Sequence, residues 1–183
     1  MRCHISPFAD PDSKIRLMFE DEAGFGRISE PADCWAPEGM RPIVSHHHIR
    51  QYEYAYGAVD PVDGEKFFFV LPKSNTVCMN IFLRELSAAY PKDYILLPLD
   101  NAGWHKSKTL KIPDNIRLFY LPPRTPEMNP IEQIWKEIRK RGFKNTLFQT
   151  LDKVVQRLCD TCNLLTNENV KSITGRDWII SMF

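Results

Sequence analysis

The chain has 183 residues, 43% of them hydrophobic and 26% charged, with a formal net charge of +1. That length suits one domain with a single sizeable core, and the composition is globular, which excludes a disordered chain. No run approaches the roughly 18 apolar residues of a membrane span, and the opening "MRCHISPFADPDSK" lacks the apolar core of a signal peptide, so a cytoplasmic protein is expected.

Residues 1–14 read as an irregular lead-in and 15–183 as one domain. "IRLMFED" alternates Ile15, Leu17 and Phe19 against Arg16, Met18 and Glu20, which predicts a strand ending at Asp21, with "GFG" as a turn after it. "CWAPEGMRPIV" reads as a short strand broken by Pro37, Gly39 and Pro42. His46, His47 and His48 are neighbours that a strand would send to alternate faces, so a polar loop or edge strand is expected rather than a chelate. "YEYAYGAV", with Tyr52, Tyr54 and Tyr56 on one face, turns through "PVDG" into "EKFFFVL" as a hairpin. Ser74 is placed to cap a helix over "NTVCMNIFLRELSAAY", with Val77, Ile81 and Ala88 on its stripe.

"YILLPLD" has the continuous apolar character of a strand covered on both faces, and Pro98 predicts its end near Leu97 or a place at the sheet margin. "NIRLFYLP" is a further strand. Helices are expected from Pro130 to Arg141, over "LDKVVQRLCDTCNLL", and briefly at the end. Antiparallel strands followed by alternating strands and helices predict an α/β fold, a mixed sheet flanked by helices in the ribonuclease H-like order. Of the five cysteines only Cys159 and Cys162 form a C-x-x-C, and no second pair completes a zinc site, so they read as reduced thiols.

Three acids stand out. Asp21 and Asp100 each close an apolar strand, where ligands of open α/β sheets gather; the alternative is a strand simply meeting water. Glu132, in "TPEMNPIEQIW", lies three residues after Asn129, where a capping-box acid belongs, or it is an acid placed to hold a metal. Ile131, Ile134, Trp135 and Ile138 form the buried stripe of its helix, which puts Glu132 on the flank, with Lys136 and Arg139 following on the same side. Asn129 as N-cap and Pro130 at N1 would fix where the helix begins.

Three carboxylates without a His/Cys cluster point to a hard cation, Mg²⁺ with Mn²⁺ as substitute. Two such ions about 4 Å apart would clamp the oxygens of a phosphodiester. No Gly-rich phosphate loop is present, which argues against nucleoside triphosphate chemistry. Between Trp104 and Lys144, ten Lys/Arg face four acids, which suggests a polyanionic partner or else a solvated helix face.

"FEDEAGFGR", "CWAPEGMRP", "LDNAGWHKS" and "LPPRTPEMNPIEQIWKEIRK" occur in this order over residues 14–145 and resemble the catalytic domain of a DDE transposase, in the bacterial insertion-sequence branch of the mariner superfamily. The resemblance implies that Asp21, Asp100 and Glu132 are a metal-binding catalytic triad, from which Glu22 is excluded. It also implies Mg²⁺-dependent cleavage at transposon ends followed by attack of the freed 3′-OH on target DNA. Double-stranded DNA would be the partner and the nucleoid the place of action, with dimerisation left open.

His105 and Asn101 belong to the "DNA-x-x-H" motif as auxiliary residues, His105 orienting a carboxylate or touching phosphate, or making only a local hydrogen bond. Lys106, Lys108, Arg124, Lys136, Arg139, Lys140 and Arg141 are candidate phosphate contacts. Trp104 and Trp135 read as core anchors ahead of base-stacking platforms. The stretch 101–131 between the second and third acids is slightly shorter than the family's habit. The family's upstream helix-turn-helix domains have no room before Asp21, which leads to the expectation of a separate reading frame or of a remnant. A nuclease of the same fold and an inactive DNA-binding protein are the alternatives.

Overall fold

The structure is a computed structural model that describes residues 14–28, 31–43 and 48–181. The lead-in, apart from Lys14, lies outside the described residues, as do Cys3, His46 and His47. Lys14–Leu17 (β1) and Phe19–Gly26 (β2) are one extended run of chain interrupted at Met18. β1 pairs in parallel with Asp93–Leu99 (β5), which pairs in parallel with Ile116–Tyr120 (β6). β2 pairs antiparallel with Tyr52–Val59 (β3), and β3 with Lys66–Leu71 (β4). The two three-stranded sheets meet at Met18, whose N–H donates to the Leu96 carbonyl at 2.9 Å.

Strand alternation divides the core into two halves. Leu17, Phe19, Ala23 and Phe25 face Ile131–Gly142 (α2), Leu151–Asn163 (α3), Asn167–Thr174 (α4) and Asp177–Ile180 (α5). Met18, Tyr56, Ile95, Leu97 and Leu99 face Thr76–Ala89 (α1) on the other side. Helices thus cover both faces of the sheet. No helix among the described residues is long and apolar enough to cross a membrane.

Several expectations are corrected. The first strand does not stop at Asp21: it runs to Gly26, and "GFG" continues the ladder opposite Tyr54, Glu53 and Tyr52. A Cβ on Gly26 would fall 2.4 Å from the Tyr52 ring, so this glycine serves close approach rather than a turn. "CWAPEGMRPIV" forms no strand among its described residues; Trp35 and Ile43 are exposed, and Pro37 and Pro42 have no N–H for a ladder. Asn75, not Ser74, caps α1 by accepting the Cys78 N–H at 2.9 Å. The buried stripe of α1 is Cys78, Met79, Phe82, Leu83 and Leu86, while Val77 is exposed.

β5 passes through Pro98 to Leu99. Odd-numbered residues of β5 send their N–H toward β6, as Ile95 does to Asn115, so the missing N–H of Pro98 falls on the β1 side, past the point where β1 ends. The far end of β1 is held by charge. Buried Arg16 meets Asp93 at 2.7 Å and both Asp60 and Asp63 at 3.3 Å, and stacks over Tyr90 with 5.0 Å to the ring centroid. Cys34, Cys78, Cys159 and Cys162 are free.

Candidate active site

β2 carries three acids in a row, and alternation sends Asp21 toward α2 while Glu20 and Glu22 face the opposite side of the sheet. Asp21 accepts a hydrogen bond from the Trp135 indole N–H at 3.0 Å. Directly across the ladder from Asp21 stands Gly57. A Cβ there would lie 2.6 Å from the Trp135 ring and 2.9 Å from Ile131 Cδ1, so the bare glycine lets α2 seat close to the sheet. Glu132, half-buried in the first turn of α2, is brought beside Asp21 by that seating.

The predicted capping box does not form. Pro130 occupies the N-cap position with helical backbone angles, and no side chain caps the helix. Asn129 is buried and turns its amide to the sheet, donating to the Glu20 carbonyl at 2.8 Å, while its Oδ1 has no hydrogen-bond partner among the described residues. The helix start is thus tied to β2 by a long-range bond rather than a local cap.

Asp100 follows the last residue of β5 and is more than half exposed. Its Oδ1 accepts the Ala102 N–H at 2.8 Å and lies 3.0 Å from His105 Nδ1. His105, in the 3₁₀ turn Gly103–Lys106, is buried, and its Nε2 is 3.2 Å from Glu22 Oε1, which also accepts the Trp104 indole N–H at 3.0 Å. Burial works against charge on this ring, yet the Glu22 hydrogen bond and the fields of Glu22 and Asp100 outweigh it and raise its pKa.

Asp21, Asp100 and Glu132 line one cavity of about 350 Å³ together with Asn101, Arg124 and Asn129. Burial, then the fields of Glu132 and Glu22, push the Asp21 carboxyl up to about 7 against the opposing Trp135 hydrogen bond. A buried acid raised by a neighbouring carboxylate in a cavity that two further acids share is a fit for divalent cations, which relieve that repulsion. Asn101 itself is engaged, its amide donating to the Leu121 carbonyl.

The basic candidates divide. Arg124 lines the cavity from a positive-φ position (61°). Lys136 and Arg141 lie on α2, and Arg141 pairs with Glu137 at 2.7 Å. Arg139 donates to the Gly24 carbonyl at 3.3 Å with its guanidinium 4.9 Å from the Phe25 ring centroid; with Lys140 it borders a second cavity of about 400 Å³ at the end of β2. Lys106 sits 5.2 Å from the Tyr120 ring centroid and Lys108 is exposed, both away from the main cavity. Sequence reasoning missed the bond from Trp135 to Asp21 and the partnership of Glu20 and Glu22 with His105. Alternation signalled only which face each acid takes.

The family described as DDE superfamily endonuclease matches residues 16–155. An uncharacterized protein of Sinorhizobium fredii, y4pE/y4sA, is 38% identical over 130 residues, covering 69% of this chain and 96% of that protein. Among solved structures, the Mos1 transposase paired-end complex with left transposon end matches with a TM-score of 0.68 at 13% identity, over 91% of this chain and 55% of that one. The Mos1 mariner paired end complex with Mn matches with a TM-score of 0.66 at 14% identity, over 91% and 53%. At such identities the likeness is one of fold, and that fold is the ribonuclease H-like one its element order predicts. The chain spans about half the length of these Mos1 chains.

Proposed function

We propose, from the premise that this chain belongs to the DDE superfamily endonuclease family, that it is the catalytic domain of a transposase of the bacterial insertion-sequence branch, cutting DNA at transposon ends and joining the freed 3′-OH to target DNA. The observation that carries the reading is the convergence of Asp21, Asp100 and Glu132, from β2, the end of β5 and α2, on one cavity. Their all-oxygen donor set suits Mg²⁺, or Mn²⁺ in its place, and an ion pair held there would polarise the phosphodiester and ready the attacking oxygen.

The chain's own residues fix that constellation. Trp135 holds Asp21 through one carboxylate oxygen, His105 and the Ala102 N–H hold Asp100, and Asn129 ties the root of α2 to β2. Arg124, which lines the cavity, would meet a phosphate at the reacting centre. Lys136, Arg139 and Lys140, exposed along α2, and Lys106 and Lys108 beyond the cavity, would track the DNA backbone without reading its sequence. Recognition of the element's ends by a helix-turn-helix portion, and any dimerisation, belong to the same reading.

The test is Mg²⁺-dependent cleavage and joining of oligonucleotides that carry the element's ends. Asp100→Asn is expected to lose both steps by roughly two to three orders of magnitude, the usual scale for removing one preorganised charge-stabilising group. Undiminished joining in Asp100→Asn overturns the triad. Cleavage that never proceeds to joining favours a nuclease on the same fold, and DNA binding without cleavage favours an inactive binding protein.

A further inference from the structure

We propose that Glu20, Glu22 and His105 form a second metal site, on the face of β2 away from the cavity, which takes one divalent cation of borderline hardness such as Zn²⁺. Each of the three offers one ligand atom, and these atoms all lie within 4.8 Å of one another. His105 Nε2 stands 3.2 Å from Glu22 Oε1 and 3.9 Å from Glu20 Oε2.

The second observation is Glu20 itself. It is wholly buried, and neither of its carboxylate oxygens has a hydrogen-bond partner among the described residues. Leaving a buried carboxylate bare is among the more expensive arrangements a fold can hold. At 3.9 Å the His105 ring is beyond hydrogen-bonding reach. A cation between the three groups satisfies Glu20 and balances two carboxylates with two positive charges, leaving the imidazole neutral.

The third observation is how His105 is aimed. Its Nδ1 is hydrogen-bonded to the Asp100 backbone carbonyl at 3.3 Å and lies 3.0 Å from the carboxylate of the same residue, so an Nδ1–H donated to Asp100 leaves the Nε2 lone pair directed at the glutamates. A backbone carbonyl or carboxylate orienting one ring nitrogen while the other binds metal is the common arrangement around metal-ligating histidines. The nitrogen in the donor set separates this site from the all-oxygen cavity and favours Zn²⁺ over Mg²⁺. Three protein ligands leave a fourth position for water. Through His105 the ion would pin the loop that begins at Asp100, a structural role that does not depend on the transposase reading.

The experiment uses the full chain, stripped with a chelator, in an Asp21→Asn, Glu132→Gln background that silences the all-oxygen cavity. Calorimetric titration with Zn²⁺ alone is expected to show one equivalent bound and a rise in the melting midpoint. Adding Glu20→Gln or Glu22→Gln should weaken Zn²⁺ binding by about 10- to 100-fold or more. Glu20→Gln keeps the shape and removes a buried charge, so its zinc-free midpoint should match or exceed that of the background chain, which separates lost binding from lost folding. Unchanged Zn²⁺ affinity in the chain carrying both Gln substitutions, or no uptake by the background chain at millimolar Zn²⁺, overturns the proposal.

Discussion

Asp21 sits where an ionised carboxylate is disfavoured, by burial first and by Glu132 and Glu22 next, so its pKa stands near 7 against an ordinary 3.8. The native chain therefore holds this proton between about pH 4 and 7 while the unfolded chain has released it, and native stability falls as pH rises through that window. His105 acts in the same direction: its raised pKa adds stability below the ordinary 6.5 that is lost as pH climbs through the folded value. Asp63, whose pKa is lowered chiefly by its hydrogen bond from Lys14, acts oppositely, but only as pH falls below its ordinary 3.8. In chelator-treated protein, the denaturant midpoint is expected to drop from pH 4.5 to pH 8. Asp21→Asn should flatten that slope, and Mg²⁺ should restore stability at pH 8 far more than at pH 5. A slope untouched by Asp21→Asn would place the strain elsewhere. Trp135→Phe makes the complementary change, since it deletes a side-chain hydrogen bond that lowers the Asp21 pKa, and it should enlarge the loss.

Among the elements, the seating of α2 on β3 decides where Glu132 points. Gly57→Ala would drive a methyl into Trp135 and Ile131. Overpacking of this kind destabilises by roughly 1–3 kcal/mol, and a shift of α2 by about 1 Å can lower turnover about 100-fold. Adding Ile131→Val, which removes the Cδ1 lying 2.9 Å from the new methyl, should recover part of both in denaturation and cleavage assays. This dependence was invisible in the sequence, because Gly57 reads as a weak spot in a strand until its partner across 78 residues is known. The hairpin of β3 and β4, the apolar runs of β5 and β6, and the Ile131, Ile134, Trp135, Ile138 stripe were legible because each pattern is local. Gly24 and Gly26 misled for the opposite reason: they look like turn punctuation, yet they lie under the rings of Tyr54 and Tyr52. Asn129 fits a capping pattern in sequence, but its amide goes to a carbonyl 109 residues away. The three acids could be singled out because each lies in or beside a readable element, whereas the Glu20, Glu22 and His105 cluster needed the fold to bring β2 against the turn after β5.

For the molecule as a whole, a net charge of +1 conceals a division of labour. The charges around Arg16 are satisfied internally by Asp60, Asp63 and Asp93, and they pin β1 without offering anything to a partner. The cations of α2 are different, because Lys136, Arg139 and Lys140 remain exposed on the helix whose first turn brings Glu132 to the carboxylate cavity, and Arg139 and Lys140 border the second cavity at the end of β2. If they hold DNA backbone near that cavity, each contact releases counterions, and the logarithm of affinity falls with the logarithm of salt by about 0.9 per phosphate neutralised. Lys140→Gln should therefore weaken binding of any duplex alike and reduce that slope by roughly one unit. Arg139→Gln should do the same and also loosen the end of β2, since Arg139 bonds the Gly24 carbonyl and stacks on Phe25. The two effects separate in one experiment: a salt titration of binding beside a denaturation curve for each variant. Lys140→Gln should move the titration alone, and Arg139→Gln should move both. A salt slope unchanged in the double variant would mean that DNA approaches the three acids from a face other than α2.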